Sequence, residues 1–118
     1  MKAIVQWILS SENQSANWTI NIVFVDNDYI AGLNNKFLGK NSATDVLSFN
    51  LSDPDEALGE VYVSIEQAKT QAVEYKVSFQ NEVLRLVAHG VYHLLGYDDQ
   101  TEPERQIMTA KENAALQQ

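Results

Sequence analysis

The sequence VLRLVAHGVYHLLGYDD (residues 83–99) carries the strongest structural pattern in the chain. From Val83 onward it is apolar on nearly every side, which is typical of a helix buried in a protein core. Gly96 is placed to end this helix in a left-handed conformation, which glycine adopts at little cost. We therefore predict a core helix from about Phe79 to Leu95, followed by a turn.

Both histidines of the chain, His89 and His93, lie in this predicted helix. Residues four apart share one helical face, so two imidazoles can reach a single ion about 2 Å from each nitrogen. The turn at Gly96 lets the chain fold back, and Asp98 or Asp99 can then bring a carboxylate to the same point. Three protein ligands leave one coordination position open, which is typical of catalytic rather than structural zinc sites.

The histidine pair also allows other interpretations. Each histidine could be a core residue with its own hydrogen-bond partner, although burying two imidazoles without partners would cost stability. A non-haem iron site could use two histidines and a carboxylate, but a helix-borne pair is more typical of zinc hydrolases. A metallopeptidase of the H-E-x-x-H type is disfavoured, because Gly90 occupies the position of its general base.

The remaining sequence predicts alternating strands and helices. β-branched and aromatic residues in alternation predict strands at Trp18–Val25, Val46–Leu51 and Glu60–Ser64. Phe24 falls on the apolar face of the first strand, Val61 and Val63 face inward in the third, and Ser52–Ala57 is a loop. Capping and helix-breaking residues predict further helices. The first covers residues 3–10, and the second is capped by Asp26 or Asn27 and ends at Gly39. A third runs from Ser64, which forms a capping box with Gln67, to about Tyr75, and the last opens with TEPE at 101–104.

Composition limits the class of protein. The 118 residues suit one domain, and 45% apolar with 20% charged residues is ordinary for a soluble globular protein. We expect no membrane span and no secretory leader, because no apolar run approaches eighteen residues and Met1–Ser10 lacks a basic cluster. Without cysteine there is no disulfide or thiolate ligand, and a cytoplasmic location is the default expectation.

The chain is acidic, with a net charge of −8 and only 8 basic residues, which are scattered along the sequence. Nucleic-acid binders usually present a basic face that displaces counterions from phosphates. Non-specific adhesion to RNA or DNA should therefore be weak. A polyanionic substrate would need a bound cation or a partner to recruit it.

At residues 89–99 the sequence resembles the YbeY family of bacterial rRNA-maturation endoribonucleases. The family signature H-G-x-L-H-L-x-G-Y-D-H is met by HGVYHLLGYDD, and a second signature, T-D-V-L-S-F, is intact at residues 44–49. Similar segments extend the resemblance from about Ile20 to Leu116, among them Leu33-Asn34, LGEV at 58–61 and QAVEY at 71–75.

The resemblance implies an α+β fold, with a small mixed sheet packed by helices and a distant similarity to zinc metallopeptidases. It implies one domain over residues 1–118 that begins at the family's first helix, so that the usual first strand is lacking and a sheet edge is exposed, or the chain is truncated. It also implies cleavage of single-stranded RNA in small-subunit rRNA processing, association with the small ribosomal subunit or its proteins, and one Zn²⁺ per chain held by His89, His93 and Asp99.

Two residues depart from the family pattern. Asp99 replaces the family's third histidine, which should lower the Lewis acidity of zinc and could admit manganese or other divalent ions. Leu38 stands where the family usually has an arginine, and leucine cannot bind a phosphate. Lys40 could take part of that role as a point charge, or could be a solvated loop lysine.

Metal-assisted phosphodiester hydrolysis is the leading hypothesis. Asp98 and Glu60 are the candidate proton acceptors, although Asp98 could simply cap the preceding turn, and the RNA 2′-hydroxyl could be the attacking group. Asp45 could orient a loop near the site or form a turn. Two alternatives remain open: a non-catalytic ribosome-assembly module with a structural metal, and a hydrolase of a small phosphoester or amide.

Overall fold

The computed structural model describes residues 1–14, 18–40 and 42–118. In chain order the elements are α1 (Lys2–Ser11), β1 (Trp18–Val25), α2 (Asn27–Leu38), β2 (Val46–Asn50), β3 (Ala57–Ser64), α3 (Ile65–Tyr75), α4 (Phe79–Leu94) and α5 (Glu102–Leu116). This order confirms the expected α+β class and the helical interpretation of the first segment.

The three strands form one mixed sheet in the order β1-β3-β2. The central strand β3 pairs parallel with β1 and antiparallel with β2. The prediction that β3 begins at Glu60 is wrong, because Ala57, Leu58 and Gly59 already pair with β1. Gly59 also faces Asn50 of β2, so partners on both sides hold residues with low intrinsic strand propensity in the sheet.

Helix α4 is the centre of the core, as its apolar sequence predicts. Val87, Ala88 and Val91 of α4 are fully buried, and so are Val61 and Val63 of β3. Helices α1, α3 and α5 surround α4 and add further apolar side chains to the same cluster. None of the helices in the described ranges is long and apolar enough to cross a membrane.

The opposite face of the sheet is covered by α2 and carries a row of aromatic rings. Phe37 of α2 packs edge-on against Phe49 of β2, with ring centroids 5.2 Å apart, and Phe49 packs against Tyr62 of β3 at 5.8 Å. Phe24 lies on the predicted face of β1, because it pairs with the buried Val63 of β3. It is nevertheless 44% exposed, at the end of an edge strand.

Helices α2, α3 and α5 begin at the capping residues that the sequence predicts. Asp26 accepts the backbone N–H of Tyr29 and caps α2, which ends at Gly39 with a φ of +69°. Ser64 caps α3, and Thr101 forms a reciprocal capping box with Glu104 at the start of α5. These caps fix where each of the three helices begins.

Gly90 lies at a close approach of α4 to the sheet. A methyl group on Gly90 would overlap the Cγ1 methyl of Val61 and would lie 3.0 Å from the hydroxyl of Ser48. That hydroxyl donates a hydrogen bond of 2.8 Å to the carbonyl oxygen of Gly90. The residue beside the first histidine therefore serves close packing between helix and sheet.

We expect Gly90→Ala to lower the free energy of unfolding by about 1–3 kcal/mol, since an extra methyl must push helix and sheet apart. Gly32→Ala is the matched control. Gly32 lies within α2 with nothing within 4 Å of an added Cβ, so alanine there should stabilise the protein by about 0.5–1 kcal/mol. Denaturant unfolding of both variants measures the difference. Equal stability of the two would contradict the close approach at Gly90.

Candidate metal centre

His89 and His93 lie one turn apart on α4 with their rings side by side. The two Nε2 atoms are 3.0 Å apart. Both side chains are partly buried, with 23% and 28% of their surface exposed, and both line the same concavity. The helical spacing therefore brings the two imidazoles together as the sequence predicts.

Asp99 reaches the histidines because the loop after α4 is held on both sides. Gly96, with a φ of +103°, turns the chain. The N–H of Tyr97 then donates to the carbonyl oxygen of Tyr92, and the two rings pack edge to face. From α5, the guanidinium of Arg105 donates to the carbonyl oxygen of Asp99 at 3.3 Å. These contacts place a carboxylate over the histidine pair.

The three side chains fit the geometry of a divalent metal site. Asp99 Oδ2 lies 3.3 Å from His89 Nε2 and 3.5 Å from His93 Nε2. For a tetrahedral ion with bonds of about 2 Å, ligand atoms lie about 3.3 Å apart. His89, His93 and Asp99 could therefore hold one metal ion with little rearrangement.

The electrostatic surroundings of the trio favour a cation. Burial by itself lowers the pKa of His89, but the hydrogen bond to Glu112 and the negative charges of Glu112, Asp99 and Asp45 outweigh it and raise the pKa above the ordinary value. Protonated histidine is stabilised by negative charge in the same way that a bound divalent ion would be. The site therefore attracts either protons or a metal ion, and acid should release the metal.

Glu112 of α5 is a residue of the site that the sequence interpretation missed. Its Oε2 lies 2.7 Å from His89 Nδ1, and it is only 6% exposed. The available signal is the buried face of α5, where Met108, Glu112 and Ala115 follow each other at helical spacing. An acid in the middle of an otherwise apolar face points to a partner inside the protein.

The metal trio forms one wall of an open concavity of about 470 Å³. The other walls come from the end of α2, from β2 and from the loop after α4. Two predicted site residues, Lys40 and Asp98, line this concavity and are exposed. Leu38 lines it as well and is 55% exposed. Asp98 Oδ1 accepts the N–H of the next residue, Asp99, at 2.8 Å, which is a local contact within the loop.

Glu60 is not brought to the concavity. Side chains alternate across a strand, so Glu60 lies on the other face of β3 from Val61, which packs under α4. The carboxylate of Glu60 instead accepts a hydrogen bond of 3.0 Å from the hydroxyl of Tyr62. This position corrects the expectation that Glu60 is a candidate proton acceptor.

The loop that carries Lys40 and the Thr44-Asp45 segment is anchored by two amide side chains. Asn34, which is 3% exposed, donates from Nδ2 to the carbonyl oxygen of Ser42 at 2.9 Å. Gln71 of α3 donates to Asp45 Oδ2 at 3.2 Å. Asp45 is thereby held at the wall of the concavity, beside the histidines.

Comparison with known proteins agrees with this arrangement. The family profile described as Endoribonuclease YbeY matches residues 1–118. The chain belongs to this family. An endoribonuclease YbeY of Desulforamulus reducens is 41% identical over 126 residues, which cover 99% of this chain and 82% of the relative. The counterpart from Carboxydothermus hydrogenoformans is 50% identical over 99 residues, or 82% of this chain and 69% of that protein.

The fold is also shared with a solved structure. The solution structure of TM1509 from Thermotoga maritima is similar with a TM-score of 0.69 and 32% sequence identity, over 98% of this chain and 76% of that one. Together the family membership and the histidine–aspartate group make this chain a metal-dependent hydrolase of the endoribonuclease YbeY family. The resemblance drawn from the two signatures is confirmed.

We expect the purified protein to bind about one divalent ion per chain, and Asp99→Asn to weaken that binding strongly, because an amide oxygen lacks the charge of a carboxylate. Asp98→Asn is the matched control, since it makes the same change one residue away and should keep the metal. Elemental analysis and competition titration measure both. Equal loss of metal from the two variants, or loss from Asp98→Asn alone, would overturn the assignment of Asp99.

Proposed function

We propose that this chain cuts single-stranded RNA during rRNA maturation in the cytoplasm, with Zn²⁺ held by His89, His93 and Asp99. The observation that carries the proposal is the open concavity above the three ligands, in a chain that belongs to an endoribonuclease family. A single-stranded substrate is proposed because its unstacked bases and its backbone are accessible to protein side chains.

A divalent ion bound by the trio supplies Lewis acidity, which activates water and offsets negative charge on a phosphodiester. Asp98 is the proposed proton acceptor. It is exposed in the concavity next to Asp99, and within the described part of the chain only its Oδ1 accepts a hydrogen bond, which leaves the second oxygen to take a proton. Lys40 is proposed to contact a phosphate, as it is the one lysine or arginine among the described residues that line the concavity.

Zinc is proposed because two imidazole nitrogens on one helix suit it. The carboxylate of Asp99 is a harder donor than a third imidazole, so manganese and other divalent ions should compete better here than at a site with three histidines. The identity of the ion in the cell therefore depends on availability as well as on the ligands.

The acidic character of the chain supports delivery by a partner. A net charge of −8 repels RNA at long range, and one lysine in the concavity does little to offset it. We infer that the small ribosomal subunit or one of its proteins brings the RNA to the site. Affinity for free RNA should then be low even though the site can cleave it.

A second candidate function is a ribosome-assembly module that holds a metal without catalysis. The exposed Leu38 favours it, because this side chain occupies the concavity without any group that can bind a phosphate. The two candidates make different demands on the site. Only an endoribonuclease needs the metal and Asp98 to act on the same bond.

We expect the metal-loaded protein to cleave an unstructured RNA, and His89→Ala or chelation to abolish cleavage. Asp98→Asn should keep the metal but lower the rate at least tenfold, since proton transfer contributes about 10²–10⁴-fold to such reactions. The product ends identify the attacking group: a 2′,3′-cyclic phosphate indicates the RNA 2′-hydroxyl, and a 5′-phosphate indicates water. Cleavage that persists after both His89→Ala and chelation would show that the metal trio is not the active site.

We expect Leu38→Arg to strengthen binding of single-stranded RNA and to make it more salt-dependent, with a slope of log affinity against log salt steeper by about 0.7 per added phosphate contact. Val73→Arg is the matched control, because this substitution adds the same charge outside the concavity. Val73 lies on α3 and is 80% exposed. A filter-binding titration at several salt concentrations compares them. If both variants gain equally, the effect is net charge and the concavity is not the RNA site.

A further inference from the structure

Glu112 and Arg85 form a partly buried chain of hydrogen bonds behind His89. Glu112 Oε2 lies 2.7 Å from His89 Nδ1, and its other oxygen, Oε1, accepts from the guanidinium of Arg85 at 3.1 Å. Arg85 also donates to Asn113 Oδ1 at 2.7 Å, next to Glu112 on α5. Both oxygens of the carboxylate are therefore occupied, one by the histidine and one by a fixed positive charge.

This arrangement decides which nitrogen of His89 carries the proton. An ionised carboxylate can only accept, so the proton of the neutral ring lies on Nδ1, and the lone pair lies on Nε2. Nε2 is the atom that faces His93 and Asp99. The ring is thus held, in rotation and in tautomer, with its lone pair towards the point that a metal ion would occupy.

Arg85 serves to keep Glu112 in this role. A carboxylate that is 6% exposed would be costly to ionise without a compensating charge. The guanidinium on α4 offsets this cost, and it ties α5 to α4 in the turn before His89. One side chain thereby places a positive charge beside Glu112 and helps to hold the carboxylate next to the histidine.

We propose that Glu112 is a positioning residue for the metal centre, and that its hydrogen bond to His89 Nδ1 contributes to the affinity of the site for a divalent ion. The proposal rests on the metal site described under the proposed function. Outer carboxylates of this kind typically change metal affinity by about 10–100-fold. Nothing in this role requires Glu112 to touch substrate.

The test compares Glu112→Leu and Glu112→Gln with Glu82→Gln. Leucine removes both the hydrogen bond and the charge, whereas glutamine can still accept the bond from His89. Glu82→Gln is the matched control. Glu82 lies on α4, N-terminal to His89, and is also buried, with 2% of its surface exposed. Within the described residues it makes no hydrogen bond to the histidine. Each variant changes one buried acid and leaves His89, His93 and Asp99 in place.

The readout is the dissociation constant for Zn²⁺ alone, by competition with a fluorescent chelator, on protein shown by circular dichroism to be folded. We expect Glu112→Leu to weaken binding about 10–100-fold, Glu112→Gln to weaken it less, and Glu82→Gln to stay within about twofold of the wild type. An equal loss in Glu112→Leu and Glu82→Gln would mean that charge alone matters, and would overturn the proposal. Unchanged affinity in Glu112→Leu would overturn it as well.

A second readout separates positioning from a merely structural role. The chain has two histidines, so a long-range ¹H–¹⁵N spectrum of the metal-free protein, recorded where the rings are neutral, reports the protonated nitrogen of each. We expect His89 in the Nδ1–H form in the wild type and a mixed population in Glu112→Leu. Retention of a pure Nδ1–H form in that variant would contradict the proposal.

The outcomes distinguish this proposal from the proposed function. If the wild type binds no divalent ion, the metal site itself fails. If the wild type binds Zn²⁺ and Glu112→Leu binds it equally well, the site stands and the positioning role fails. If the affinities follow the expected order while RNA is not cut, Glu112 positions a metal site that has another use.

Discussion

The contact of Gly90 with the sheet sets the depth at which α4 lies, and the metal centre depends on that depth. With only a hydrogen atom at this position, α4 packs directly against Val61 and Ser48. His89 and His93 flank Gly90, so their rings are held at the rim of the sheet beside β2. A side chain at position 90 would lift the helix and move both imidazoles away from the concavity formed with β2.

The charged groups around His89 follow from burial at that depth. A half-buried imidazole next to Asp99 and Glu112 is a costly arrangement unless positive charge is present. Arg85 supplies such charge behind the ring, and a bound cation would supply it in front. The stability of the folded chain and the affinity for metal therefore rest on the same set of carboxylates, which links acid sensitivity to metal loss.

Local patterns made most of the fold and part of the site predictable. The apolar sequence of α4, the four-residue spacing of its histidines and the glycine turn are short-range signals, and each has a direct structural consequence. The orientation of β3 was also predictable. Because side chains alternate along a strand and Val61 and Val63 face inward, Glu60 has to lie on the opposite face. This alternation alone could have excluded Glu60 as a site residue.

Other features depend on contacts that one sequence does not display. The early start of β3 at Ala57 reflects pairing with two neighbouring strands. Phe24 is exposed although its partner Val63 is buried, because β1 is an edge strand of the sheet. Glu112 lies 23 positions from His89. The only local signal of its burial is its helical spacing from the apolar residues of α5. Side chains from distant segments meet at this site because α5 packs back on α4, and that packing is decided by the whole core rather than by any local pattern.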